Sequence, residues 1–169
     1  IDASLDRTTR TMRIAVGSYY NAAACLLYEL HLDTLPHIMD LCATLDPPEW
    51  CGTQCVSLLN DVVAVGTYTG RVYLLHWHTG ERCMLEHAEP GSIAALKLLP
   101  SHMISITRLG GMYVYERFGM TQARLVAQHT VSPHPILSVS FGESCMARAG
   151  QLASGTSTDP IPLAVMCAD

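Results

Sequence analysis

Lysine is almost missing from this sequence: Lys97 is the only one among 169 residues. The other cations are scattered arginines, and ten basic against fifteen acidic residues leave a net charge of −5. No basic stripe or face results, which excludes the electrostatic footprint of a nucleic-acid binder or of a protein drawn to anionic lipid. Charge of either sign is scarce, at 15% of residues, where about 25% is usual in soluble domains. Long apolar runs are absent too. The longest candidates, such as Ile93 to Leu99, have the length of a strand, far short of the ~20 residues that a membrane helix needs. The N-terminal Ile1-Asp2-Ala3-Ser4 carries no initiator methionine and no basic, apolar and cleavage regions of a secretion signal. Phosphate loops rich in glycine, the Gly-x-Ser-x-Gly elbow and the His-Glu-x-x-His pair are likewise missing. The sequence therefore offers no catalytic residue and no cofactor.

What is plentiful is apolar: 49% of residues are hydrophobic, ample for a core at this length. Seven cysteines (Cys25, Cys42, Cys51, Cys55, Cys83, Cys145 and Cys167) form an odd, irregular set. Several sit inside apolar runs such as Ala23-Ala24-Cys25-Leu26-Leu27, where a thiol acts as a small hydrophobe. A disulfide framework calls for an even, patterned set, so the expected compartment is reducing, cytoplasmic or nuclear.

Three segments repeat. Arg13 to Tyr19 leads into Cys25 to Glu29, Val62 to Gly70 into Val72 to His76, and His102 to Gly111 into Met112 to Glu116. With Tyr28, Leu75 and Tyr115 as equivalent positions, the spacings are 47 and 40 residues, matching the ~40–50 of a propeller blade. Each segment is short, rich in Val, Ile and Tyr, and broken by Gly, Asn or Thr, which predicts hairpins over about 12–32, 61–78 and 102–118. Tyr68-Thr69-Gly70-Arg71 is the cleanest turn, because glycine accepts the positive φ that a tight turn demands. Between hairpins lie two further strand-like runs each: Ile38 to Ala43 and Cys55 to Leu59, Arg82 to Glu86 and Ser92 to Leu99, Gln122 to Gln128 and Pro135 to Phe141. Four strands in roughly 45 residues, three times over, predict an all-β chain of about three four-stranded antiparallel blades of a β-propeller. A β-sandwich would also show frequent turns but does not require this period, and only Ala22 to Leu32 tempts a helical reading.

The stretch from Gly70 to Glu81 resembles the third strand of a WD40 repeat and the turn that follows it. The Trp-Asp pair of that family falls on Tyr28-Glu29, Leu75-His76 and Tyr115-Glu116, two of which keep an aromatic followed by an acid. No Gly-His dipeptide opens the repeats. The resemblance covers Met12 to Phe141 and is similar to the propeller part of fungal F-box/WD-repeat-type proteins. It implies a scaffold that recognises a protein partner, with neither nucleic acid nor membrane as ligand. A metal-dependent enzyme or hydrolase built on a propeller is the alternative.

Residues 1–12 enter the first hairpin without a clear opening strand, residues 142–160 read as a mobile loop, and 161–167 as one more strand cut short. Three blades and a fragment do not close a ring of the usual ~4–8 blades. Blades from elsewhere, or self-association, are therefore expected to complete it.

Trp50, after Pro47 and Pro48, falls on a loop between blades, and Tyr19, Tyr68, Arg71 and Arg108 fall at hairpin turns. Aromatic and arginine side chains are enriched in binding hot spots, so these five are the candidate partner-binding rim. Each has a plainer reading as packing or ordinary surface. Cys51, Cys55, His76 and His78 contain zinc-ligand chemistry in a loose spacing, and no metal is assigned to them. Cys51 as a nucleophile lacks any local motif.

Overall fold

A computed structural model describes residues 1–18, 25–33, 38–45, 52–86, 91–119, 121–141 and 163–168. Among them the chain is entirely β, in fourteen strands. The first blade is β1 (Asp2–Asp6), β2 (Thr11–Gly17), β3 (Cys25–His31) and β4 (Ile38–Leu45). The second is β5 (Thr53–Leu59), β6 (Val62–Thr67), β7 (Arg71–His76) and β8 (Arg82–Glu86). The third is β9 (Ile93–Leu98), β10 (His102–Thr107), β11 (Gly111–Arg117) and β12 (Ala123–Thr130), and a two-stranded sheet follows from β13 (Ile136–Phe141) and β14 (Leu163–Cys167). Every sheet is an antiparallel meander in chain order. The first strand of each packs beside the first strand of the next, β1 by β5, β5 by β9 and β9 by β13, so these four are the inner strands of stacked propeller blades.

Burial explains why the strands read so differently in sequence. β6 and β7 lie in the middle of the middle blade and are buried almost throughout. That is why Val62-Val63-Ala64-Val65 is a continuous apolar run, the mark of a strand covered on both faces. β12 is an outermost strand and mostly exposed. β1 has too little apolar character to announce itself, with Ala3 and Leu5 on one face and Asp2, Ser4 and Asp6 on the other. It nonetheless pairs with β2 in regular register, Asp2 to Asp6 opposite Ala15 to Thr11. A sheet therefore begins one strand earlier than each hairpin, and Cys55 to Leu59 opens the second blade. The stretch that tempted a helical reading holds β3. The loop expected over 142–160 lies outside the described residues.

The repeat extends to irregularities. Each inner hairpin after the first carries a β-bulge at the same place, between Thr53 and Cys55, opposite Thr107 and Ile106 at Ile93 and Ala95, and between Ile136 and Ser138. Ile14 opposite Tyr28, Val63 opposite Leu75 and Met103 opposite Tyr115 are equivalent pairs. The interfaces repeat in the same way. Ala15, Cys25 and Leu27 of the first blade meet Leu58, Val63, Val65, Tyr73, Leu75 and Trp77 of the second. Ala64, Val72 and Leu74 of the second meet Leu98, Met103, Tyr113 and Tyr115 of the third. Gly66 lets the third blade approach: a methyl there would come within 2.7 Å of Ile93 Cγ2 and of Cys55 Sγ.

Polar contacts cross the same seams. The backbone N–H of Leu58 donates to Asp2 Oδ2 at 2.8 Å, and that of Leu98 donates to Ser57 Oγ at 3.1 Å. Asp2 faces Ala15 and Ser57 faces Ala64, so the same position of the first and second blades accepts from the next inner strand. Ser57 is buried, and Ser57→Ala would strand the Leu98 N–H, at a cost of about 1–3 kcal/mol. Urea unfolding is expected to show that loss at unchanged m-value. A change under about 0.5 kcal/mol, the usual range of a surface substitution, would contradict it.

Candidate protein-binding rim

The turns β6–β7 and β10–β11 lie at one end of the blades, together with the described linker residues Gly52, Ser92 and Ser132. Both turns are built identically. Thr67 Oγ1 accepts from Arg71 N at 3.0 Å and donates to Arg71 O at 2.9 Å. Thr107 Oγ1 accepts from Gly111 N at 3.1 Å and donates to Gly111 O at 3.4 Å. Both threonines are buried, so the hydroxyl serves as an internal clamp that closes the turn. Ser18 holds the corresponding place in the first blade. Gly110, at φ +93° and against Ser132 O, has a conformation and a fit that other residues lack.

The clamp puts Tyr68 and Arg108 at the same position of successive blades. Their backbones are further pinned to the linkers. Tyr68 N donates to Gly52 O at 2.9 Å, Arg108 N to Ser92 O at 2.8 Å, and Ile136 N to Arg108 O at 2.8 Å. Fixed turns thus present exposed side chains: Tyr68 is 59% exposed and Leu109 is equally exposed. Gly91 lies between them. An added methyl on Gly70 would meet Gly91 O at 2.8 Å, and one on Gly91 would meet Leu109 Cδ1 at 3.2 Å. Gly70, Gly91 and Leu109 are therefore neighbours across the seam of the second and third blades, with Tyr68 and Arg108 in the same two turns. Arg71 starts β7 and is partly buried. Trp50 and Tyr19 lie outside the described residues. Leu109 was not singled out from the sequence. Its signal is an apolar residue in a turn otherwise made of Arg and Gly, where nothing but exposure or a partner explains it.

A polar network lies at the opposite end. Arg13 donates to Glu29 Oε1 at 3.0 Å and also to Asp61 Oδ1, and it lies over the Trp77 ring at 5.9 Å. Asp61 further meets His78 Nε2 at 3.4 Å. An open cleft of about 430 Å³ adjoins this network, lined by Asp6, Arg7, Arg13 and Asp61 among others. Since Arg13 already serves two carboxylates, the network reads as a seam joining the first and second blades.

Among the described residues, Cys55 is not brought to His76. Cys55 faces Gly66 whereas His76 faces Val62, four residues along β6, or roughly 13 Å at the rise of a strand. His76 Nδ1 accepts from Thr79 N at 3.1 Å and lies 2.9 Å from Thr79 Oγ1, so it caps its own turn. Cys51 lies outside the described residues. Among those described, no three His, Cys, Asp or Glu side chains gather as a metal site.

No protein-family model and no curated protein matches this chain. Solved structures do. The computationally designed Ika4 protein aligns over 83% of this chain and 78% of its own, with TM-score 0.58 and 14% identity. A chain of the Mitotic Checkpoint Complex aligns over 82% of this chain at TM-score 0.53 and 12% identity. BBS1N, crystallised in complex with ARL6DN, aligns over 78% at TM-score 0.51 and 22% identity. This chain spans only 39% and 36% of those last two. The likeness is one of fold, and the fold is a β-propeller.

Proposed function

We propose that this chain is an interaction scaffold without catalytic activity of its own, which holds a protein partner on the rim of Tyr68, Arg71, Leu109 and Arg108. The observation that carries the proposal is the pairing of rigid turns with exposed large side chains at Tyr68 and Leu109. Pre-organised backbone lowers the entropy lost on binding, and an aromatic, an aliphatic and arginines suit a partner surface of apolar and acidic residues. Two of the similar structures are of chains in complexes with other proteins, in keeping with this reading. Trp50 and Tyr19 extend the proposed rim by sequence position alone. The finer reading, a WD-repeat propeller like that of F-box proteins, is supported by Tyr28-Glu29 and Tyr115-Glu116 at equivalent places of β3 and β11. A reducing, cytoplasmic or nuclear setting is supported by the free thiols of Cys25, Cys55, Cys83 and Cys167.

A photo-crosslinking residue at position 68, used in cells, is expected to capture a specific protein. Tyr68→Ala/Leu109→Ala is then expected to weaken that complex about 30-fold or more, the size of a hot-spot loss, in a variant that circular dichroism shows to be folded. Undiminished binding by the double variant would refute the rim.

A further inference from the structure

We propose that Thr9 is a phosphorylation site, presented at the tip of the first blade to a protein kinase that selects an arginine ahead of the hydroxyl. Two independent observations meet there. In the sequence, Thr9 is the only serine or threonine with an arginine or lysine two or three positions before it, Arg7 in Arg7-Thr8-Thr9-Arg10. Charge patterns of that kind are what kinases read in a substrate. In the structure the same four residues form the turn between β1 and β2, and all four are exposed.

That turn also stands out past its neighbour. Ile14 opposite Tyr28 corresponds to Val63 opposite Leu75, so Ser4 opposite Arg13 corresponds to Leu59 opposite Val62. Pairing of β5 with β6 ends there. Pairing of β1 with β2 continues, through Leu5 opposite Met12 and Asp6 opposite Thr11. The first hairpin therefore overshoots the second blade by two residue pairs, about 7 Å at the rise of a strand, and carries Thr8 and Thr9 at its tip. Its own acid holds it in shape. Asp6 Oδ1 accepts from Thr8 N at 2.8 Å and from Thr9 N at 3.3 Å. The Thr8 N–H above all, then the hydroxyl and the N–H of Thr9, keep the Asp6 carboxyl below the usual carboxylate range. Hydrogen bonds in an exposed turn open at small cost, so a kinase can draw out Arg7 to Arg10 without unfolding a blade.

In the reaction the γ-phosphoryl group of ATP passes to Thr9 Oγ1. The new O–P bond forms as the bond to the β-phosphate oxygen breaks, the hydroxyl proton goes to the catalytic aspartate of the kinase, and ADP leaves. The product carries a charge of about −1.5 to −2 where a hydroxyl had donated to Asp6. A donor becomes an anion, so carboxylate and phosphate move apart, and Arg7 and Arg10 flank the phosphate as counter-ions. The added charge falls beside the cleft that Asp6, Arg7 and Arg13 line, at the end away from Tyr68 and Leu109. It acts on the polar network of the first two blades and not on the rim.

The test is incubation of the folded full chain with MgATP and the catalytic subunit of cyclic-AMP-dependent protein kinase, with the phosphate mapped by mass spectrometry. One phosphate per chain, on Thr9, is the expected result. Thr9→Ala is expected to abolish incorporation and Thr9→Ser to keep it. Arg7→Ala is expected to slow it about 10-fold or more, as for loss of one charge-assisted contact with the kinase. Circular dichroism of each variant shows that the fold is kept, since both side chains are exposed. A folded chain that takes up no phosphate, phosphate on Thr8 or any other residue, or an Arg7→Ala rate equal to the parent's would overturn the site.

Discussion

Tyr113→Ala is expected to remove about 3–5 kcal/mol of stability, the cost of emptying a large aromatic site in a core. Tyr113 is completely buried and belongs to the cluster that unites β6 and β7 with β9, β10 and β11. It is the equivalent of Tyr73 in the second blade and Leu26 in the first, by pairing with Ser105, Val65 and Val16. Its ring therefore fills a seam, and neither neighbouring sheet can collapse into the space without giving up its own register. Set against a total of about 5–15 kcal/mol for a folded domain, the loss leaves little margin. Urea titration followed by circular dichroism measures it. Tyr113→Phe keeps the ring and is expected to cost far less, and an alanine variant within about 1 kcal/mol of the parent, the centre of ordinary substitutions, would show that the seam does not depend on this ring.

The architecture was legible because seams of this kind impose a period. Val62-Val63-Ala64-Val65 is apolar on both faces and Met103 to Ile106 is buried on both, and a glycine follows where the turn needs positive φ, so hairpins could be placed from the sequence pattern. β1 was not legible. Its Asp2 looks like a solvated turn residue until the Leu58 N–H is seen to donate to it, a contact 56 residues away in sequence. The rim was half legible for a similar reason. Tyr68 and Arg108 stand out as residue types in turns, whereas Leu109 needs its exposure and its nearness to Gly91 to be noticed. His76 and Cys55 suggested a metal because residue type carries no information on which end of a strand a side chain occupies; the register of β6 supplies it. The grouping of strands into sheets also escaped the sequence, since a repeat has the same period whichever strand is counted first.

Raising the pH from 9 toward 12 is expected to unfold the protein through two thiols. Burial pushes the Cys25 thiol up from 9.0 to about 12, and burial pushes Cys55 up to about 12 as well. The folded state thus prefers the neutral thiol, while the unfolded chain releases the proton near its ordinary value. Stability from this difference is complete below pH 9 and is lost progressively as the pH climbs to about 12. Shifts of this size on two buried thiols are large against the total of about 5–15 kcal/mol that holds a domain folded. Position compounds magnitude: Cys25 lies in the cluster between the first and second blades, and Cys55 Sγ lies 3.8 Å from Ile93 O at the next seam. Ionising either one opens a blade interface. The Tyr115 hydroxyl, also raised by burial, acts in the same direction at higher pH. Circular dichroism with urea at a series of alkaline pH values gives the slope. Cys25→Ala/Cys55→Ala is expected to start less stable at neutral pH, from lost packing, and to decline much less steeply between pH 9 and 12. A double variant with the parent's slope would place the alkaline sensitivity elsewhere. The same protonation holds both sites inert as nucleophiles near neutrality, so alkylation of Cys25 and Cys55 is expected to follow unfolding and not precede it.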